Sequence, residues 1–349
     1  MTIAASGSHA VPRRVLVDQR RQARMLAFLG QLKRDHPGCH ALVDATRVDV
    51  AVREVGTRLL NGAREFSDDV DGGRGDSYRQ AQRLTFARAQ GTRVLLNLFA
   101  HRGSTPDLLN ADPLVILDVL GGDGLVARIA QAAVLSSPSS VIVTSDITPA
   151  MVEAALEAGL PALWQPAQRL ILRDDCLDGV LCAYGTHHLD HAGLMKTCQE
   201  AYRVTRPGGR VVLHDFEPDS AVSRWFSEVV HPYSRNGHEY QHYGSETLTN
   251  ALRDAGFENI ISRPLLDPII APGMSPAAAG LALAQYLYQM YGLVGLGDGQ
   301  SVDVLKRVLS LAESCFGTLS VDSAPEQEGS YRACLPRVAV FAVGCVPVR

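Results

Sequence analysis

No apolar run in the 349-residue chain approaches the roughly 18 residues that a membrane-spanning helix requires. The N-terminal stretch also lacks the charged-then-apolar pattern of a secretory signal. Both absences predict a protein that neither enters a membrane nor is exported. Cysteine is sparse and odd in number, with seven residues scattered from Cys39 to Cys345 and no C-x-x-C pair. That excludes a disulfide framework and a zinc knuckle, and it predicts a reducing, cytoplasmic setting. Neither sign of charge dominates, since 33 Lys and Arg stand against 37 Asp and Glu. Such a chain, its basic residues gathered only near the N-terminus, is not built to neutralise nucleic-acid phosphates, so small-molecule partners are expected. Aromatic residues are only 6% of the whole, which gives any local concentration of them weight. Hydrophobic residues reach 46%, ample for a sizeable core.

What is present is organised around Leu114–Ala130. Leu114 to Leu117 is a short apolar run with the β-branched content of a strand buried on both faces. Gly121, Gly122 and Gly124 then make a tight turn, and Leu125 to Ala130 resumes at helical spacing. Strand, glycine loop and helix in that order form a ligand-binding unit of open α/β sheets, where glycines let the backbone approach a ligand closely. From Asp112 onward strand and helix alternate, which predicts a mostly parallel α/β sheet. Val141–Thr144 is a second strand ending at Asp146, about twenty residues past the glycine loop, where an acid can accept both ribose hydroxyl protons. Thr148 is better sited than Asp146 to cap the helix that begins at Pro149.

Before the sheet, Val15–Lys33, Ala41–Leu60 and Ser77–Ala100 read as helices behind a small polar arm at Met1–Pro12. Tyr78 and Arg79 arrive just ahead of the first strand, within possible reach of a cofactor carboxylate. Late in the chain, Ser275–Tyr291 and Val302–Phe316 read as amphipathic helices, with a glycine-rich turn between them and a polar loop at Ser323–Ser330.

Asp118 ahead of the glycines resembles the first motif of class I S-adenosylmethionine methyltransferases, roughly D-x-G-x-G-x-G, with Leu120 in the first glycine position. Leu120 there predicts a slightly different loop path. The stretch Arg173–Leu189, ending Tyr-Gly-Thr-His-His-Leu, resembles that family's fourth strand and the loop before it. Arg206-Pro-Gly-Gly209 resembles its third motif, where a helix must stop at Pro207 and glycine opens the turn.

The resemblance implies a Rossmann-like sheet, mostly parallel with an antiparallel last strand, carrying a helical N-terminal extension and a helical insertion before the last strand. The expected organisation is a helical region over 1–105, serving as lid or dimerisation element of a homodimer, and a methyltransferase domain over 106–349. Within the domain lie a substrate cap at 214–244 and the insertion at 264–336. The implied cofactor is S-adenosyl-L-methionine, bound by Asp118, Leu120, Gly122, Asp146, Ile147, Gln165, Ala167 and Tyr184. Pro166 stands where the family reads adenine with an acid, so Gln165, Gln168 or a backbone carbonyl must serve.

Methyl transfer is an in-line displacement in which much of the acceleration is positioning, and a phenol, amine or enolisable carbon must also lose a proton. His187 or His188, at the carboxyl end of the fourth strand, is the candidate base. Between strand five and the next helix the chain is dense in rings and imidazoles. There His214, Trp225, His238, Tyr240, His242 and Tyr243 are the candidate substrate contacts. His238–His242 spells H-E-x-x-H, yet Gly237 and Gly244 bracket it, so no metal is assigned.

The pattern Gly-His-x-Tyr-x-His-Tyr resembles caps of actinobacterial natural-product methyltransferases. That implies C-methylation of a phenolic amino acid such as 3-hydroxykynurenine. Three alternatives stay open: O-methylation of a phenol, metal-assisted C-methylation of a 2-oxo acid with His187 and His238 as ligands, and a protein that binds the cofactor without transferring methyl.

Overall fold

The computed structural model describes residues 13–60, 65–99, 113–133, 140–324 and 329–348. In β1 (Val115–Val119) all but the first residue are buried, as its unbroken apolar run demands of a central strand. β2 (Val141–Asp146) and β4 (Leu177–Cys182) flank it in parallel, β3 (Ala162–Trp164) extends the sheet beyond β2, and β5 (Thr205–Asp215) extends it beyond β4. β6 (Glu258–Leu266) lies at the far edge. Four further elements follow: β7 (Ile269–Gly273), β8 (Ser320–Ser323), β9 (Tyr331–Leu335) and β10 (Val338–Cys345). β10 inserts between β5 and β6, antiparallel to both, so the order is β3-β2-β1-β4-β5-β10-β6. The direction of winding reverses between β1 and β4, and a ligand crevice opens at such a switch point beyond the carboxyl ends of the strands.

The insertion is not purely helical. Its two helices, Pro276–Tyr291 and Val302–Phe316, fall where the periodicity puts them, but β7, β9 and β8 form a separate three-stranded antiparallel sheet beside them. β7 is short and carries Pro272, and every residue of β8 is exposed, so neither shows the alternation by which a half-buried strand is recognised. At the N-terminus the first helix spans Arg13–Asp35. The second expected helix begins late, at Val48, because Asp44 accepts the Thr46 N–H at 3.0 Å and starts a separate turn. The third divides into Gly75–Gln82 and Ala89–Asn97. Phe28 of the first helix meets Trp164 of β3 edge to face, 5.9 Å between centroids, tying this region to the sheet. The expected arm at Met1–Pro12 and the boundary near 105 lie outside the described residues.

Leu120, in the first glycine position of the motif, has an unusual backbone for a leucine. It adopts φ +61°, so the loop follows the left-handed path that a glycine would take, in spite of the side chain. Gly121 N–H donates to the Ser145 carbonyl at 2.9 Å and Gly124 N–H to the Gly121 carbonyl at 3.1 Å, and these bonds hold the path. Left-handed backbone costs an L-residue about 1–2 kcal/mol, and a second substituent on Cβ makes it worse. Leu120→Val is therefore expected to unfold at lower urea than Leu120→Gly, with stability lower by about 1 kcal/mol or more, although valine keeps more apolar surface. Urea denaturation of the two variants checks this.

Candidate active site

The carboxyl ends of β1, β2 and β4 open on a cleft of ≈ 370 Å³. Its sheet side is built by Leu120, Gly122, Asp146, Ile147, Ala167, Tyr184 and Gly185. Asp146 joins the two loops: one carboxylate oxygen accepts the Gly122 N–H at 3.0 Å and the other the Thr148 N–H at 2.7 Å. Burial pushes its carboxyl above the usual range, against those two bonds. Thr148 occupies the cap position of the following helix but makes no side-chain cap bond, so the Asp146 carboxylate serves that end as well. Met151, Gln168 and Leu189 continue the wall, and Arg58, Glu65, Phe66, Tyr78 and Tyr240 face it from the N-terminal helices and the cap.

Behind His188 lies a second, smaller chamber of ≈ 40 Å³. Phe66, Tyr78, Tyr184 and His188 line both spaces, so the chamber adjoins the cleft. Its remaining walls include His187, His238, Phe226 and three guanidinium groups, Arg74, Arg88 and Arg337. Arg74 pairs with Glu65 at 2.5 Å, and Arg337 with Asp267 at 2.5 Å.

The histidines are organised by two buried carboxylates. Asp215, at the end of β5, lies within 3.1 Å of His187 Nδ1 and 2.9 Å of His242 Nδ1. His187 and the bonds from both imidazoles hold its carboxyl below the usual range in spite of burial, so it is ionised and can only accept. Each imidazole therefore donates from Nδ1, and His187 turns its other nitrogen toward the chamber. Glu65 faces the remaining pair, 3.9 Å from His188 Nδ1 and 3.5 Å from His238 Nδ1. Burial drives the His188 imidazole well below its usual value, with His187 adding to the effect and Glu65 opposing it. Burial likewise takes His238 down to about 4, against Glu65. His187, Asp215 and His242 also have potential ligand atoms within 4.8 Å of one another, a spacing a metal ion could use.

Several expected contacts lie elsewhere. Trp225 is fully buried in the apolar core, against Tyr291 and Phe316, because its large ring gains more there than at a wet wall. Tyr243 donates its hydroxyl to the Leu189 carbonyl at 2.7 Å, His242 is taken up by Asp215, and His214 sits beneath Tyr184 near Asp267. Asp118 is buried behind the glycine turn with one oxygen unpartnered, its carboxyl raised well above normal by burial and by Asp146. Gln165 turns away and accepts the Ile171 N–H at 2.8 Å, which leaves Gln168 at the wall. Arg79 is consumed by Asp68 and Asp76, whereas Tyr78 does reach the cleft. His238 and His242 stand outside any helix, not on one helical face, so the H-E-x-x-H spelling does not make a zincin site. Reading the sequence missed Arg58, Glu65, Phe66, Arg74, Arg88, Asp215 and Arg337. Only Asp215 carried a signal, as an acid closing a strand at the end where ligands bind.

The sheet order and the glycine-turn cleft define a class I methyltransferase fold. A Methyltransferase domain family matches residues 87–261, half of the chain, and the chain belongs to that family. Its cofactor is S-adenosylmethionine. Curated relatives include a demethylmenaquinone methyltransferase of Clavibacter sepedonicus, 27% identical over 46% of this chain and 74% of the relative. The C-methyltransferase UbiE of ubiquinone and menaquinone biosynthesis from Klebsiella pneumoniae is 25% identical over 45% and 71%. A demethylmenaquinone methyltransferase of Deinococcus radiodurans is 33% identical over 38% and 57%. Among solved structures, the YcgJ protein of Bacillus subtilis has a TM-score of 0.45 at 17% identity, covering 74% of this chain and 99% of that one. A phosphoethanolamine N-methyltransferase of Haemonchus contortus, solved with S-adenosylhomocysteine, has a TM-score of 0.42 at 14% identity, covering 73% and 52%. Both likenesses are too loose to bear on the site. Among the described residues no helix is long and apolar enough to cross a membrane.

Proposed function

We propose that this protein is a C-methyltransferase of a small phenolic acceptor, with a phenolic amino acid of the 3-hydroxykynurenine type as the favoured class. The observation that carries the reading is the position of His188 on the wall shared by the cleft and the inner chamber, its imidazole kept neutral by burial. The relatives named C-methyltransferases support carbon as the atom methylated.

The residues present fit the cofactor. Asp146 has lone pairs left for two ribose hydroxyls, and Gly122, at φ +57°, presents bare backbone to the cleft. Ile147, Met151, Ala167 and Leu189 offer apolar faces to a base, with the Gln168 amide at its edge. When bound, S-adenosylmethionine supplies an electrophilic methyl carbon on a sulfonium. His188 then accepts the acceptor's hydroxyl proton, and the oxyanion raises electron density at the neighbouring ring carbon. The Glu65 carboxylate, 3.9 Å from Nδ1, stabilises the imidazolium so formed. Phe66 and Tyr240, each edge-on to the His188 ring, hold the acceptor ring and exclude water. The helices before the sheet thus act as one wall of the pocket.

Titration calorimetry with S-adenosylmethionine, followed by mass spectrometry over a panel of phenolic amino acids and 2-oxo acids, tests the reading. A product heavier by about 14 Da, one net CH₂, is expected. Cofactor binding with no methylated product from any acceptor would sink it. Asp146→Ala is expected to weaken cofactor binding by about 10- to 100-fold, the worth of charge-assisted hydrogen bonds, and the same calorimetry measures it.

One observation favours a second reading. The spacing of His187, Asp215 and His242 suits a metal that would chelate a 2-oxo acid. Under it, dialysis against a chelator abolishes turnover and an added divalent ion restores it. Under the base reading the rate is unchanged.

A further inference from the structure

Arg88 is the one guanidinium of the inner chamber that no carboxylate pairs with directly among the described residues. Arg74 has Glu65, Arg337 has Asp267, and Asp215 is taken up by two imidazoles. Arg88 is 6% exposed and has no ion pair among the described residues, with the Tyr286 hydroxyl as a polar neighbour, and its Nε is buried without a partner. Its close contact is the Tyr184 ring, 4.8 Å from the guanidinium carbon. The Tyr286 hydroxyl is buried too, and the buried Thr92 hydroxyl lies beside Tyr184. Against burial, Arg337 and His214 hold the Asp267 carboxyl below its usual range, and Arg88 is near enough to help, yet Arg88 and Asp267 form no ion pair. The Asp267 Oδ2 is held by Arg337, and its Oδ1 accepts the Tyr184 hydroxyl at 3.1 Å.

An arginine stays charged in a protein, and a buried charge without a counterion is costly. Native structures rarely carry one except where a ligand completes it. We infer that Arg88 is the anchor for a carboxylate on the acceptor, received in the chamber behind His188. A planar carboxylate matches the fork of the guanidinium and would supply the bidentate ion-pair partner that Arg88 lacks. The chamber's small volume suits a head group, leaving the acceptor ring in the wider cleft beside His188. The ring's place there rests on the methyl-transfer reading above; the charge argument does not.

The test compares acid with ester. Phenylacetate, phenylpyruvate and 3-hydroxykynurenine, each paired with its methyl ester, are titrated into the full chain saturated with S-adenosylhomocysteine, and binding is read by calorimetry and thermal shift. Wild type should bind at least one acid about 100-fold more tightly than its ester. Arg88→Met should erase that preference while leaving S-adenosylhomocysteine affinity within a factor of about three, and Arg88→Lys should keep part of it. Equal binding of every acid and ester, or binding of none, by wild type overturns the anchor, and needs no variant to fold. An acid preference that survives in Arg88→Met overturns it too. Mass spectrometry on the same samples reports methylation separately: product without acid preference sinks only the anchor, and acid preference without product sinks only the methyl-transfer reading.

Discussion

Replacing His188 by alanine is expected to lower the single-turnover rate of methyl transfer by about 10²- to 10⁴-fold, the usual worth of a positioned general base. Cofactor affinity should stay within about threefold, because the imidazole lies at the acceptor side of the cleft, across from Asp146 and Gly122. A loss of packing could also slow the enzyme, so the pH profile is the sharper readout. Burial and His187 depress the imidazole's proton affinity well below its ordinary value. The base is therefore free at neutral pH, and the wild-type rate should hold as pH falls through about 6.5, where an unperturbed histidine would protonate. Its decline belongs at lower pH. In His188→Ala that decline should vanish, and added imidazole should restore part of the rate. A variant whose acid limb is unchanged would remove His188 from the chemistry.

The second large effect is on stability. Asp215 is wholly buried and accepts four donors: the Nδ1 groups of His187 and His242, the Phe216 N–H at 2.9 Å and the Tyr243 N–H at 3.4 Å. Asp215→Ala strands all four and should cost about 3–5 kcal/mol, as the loss of one side of a buried charged network does. The pH dependence has a definite sign. The folded carboxyl titrates below its unfolded value, chiefly because His187 offsets the burial cost. Its contribution is complete above about pH 4, the unfolded value, and is lost as acid carries the group through its lower folded one. Wild-type stability should thus fall more steeply than that of Asp215→Ala below about pH 4. Denaturant titrations of both proteins at several pH values measure this, and parallel curves would contradict it.

Much of the sheet is legible in the chain because its rules are local. The buried run at Leu114–Leu117 and the glycines at 121, 122 and 124 constrain the backbone within a few residues and fall where strand and loop occur. The helix expected to stop at Pro207 instead ends at Val204, and Pro207 with Gly208 lies inside β5. Leu120 is instructive. Its side chain disfavours the left-handed backbone it adopts, yet the backbone bonds around it cost more to break than one strained residue does to keep. The histidine pair at 187 and 188 is legible for the same local reason, lying just beyond a parallel strand where ligands bind.

The rest of the site was not written in any neighbourhood of the sequence. Arg88 precedes His188 by a hundred residues and sits in a segment that reads as ordinary amphipathic helix. Trp225 and His238 look alike as cap aromatics, but one is drawn into the core with Tyr291 and Phe316 while the other is turned toward Glu65. By itself the sequence determined the α/β order, the glycine-turn cleft and the strand end that carries the histidines, since those follow from periodicity and allowed dihedrals. Tertiary structure alone decided which charges meet. Asp267 meets Arg337 from seventy residues away and Glu65 meets His188 and His238 from far earlier in the chain, and only in that assembly does one guanidinium without an ion pair become visible.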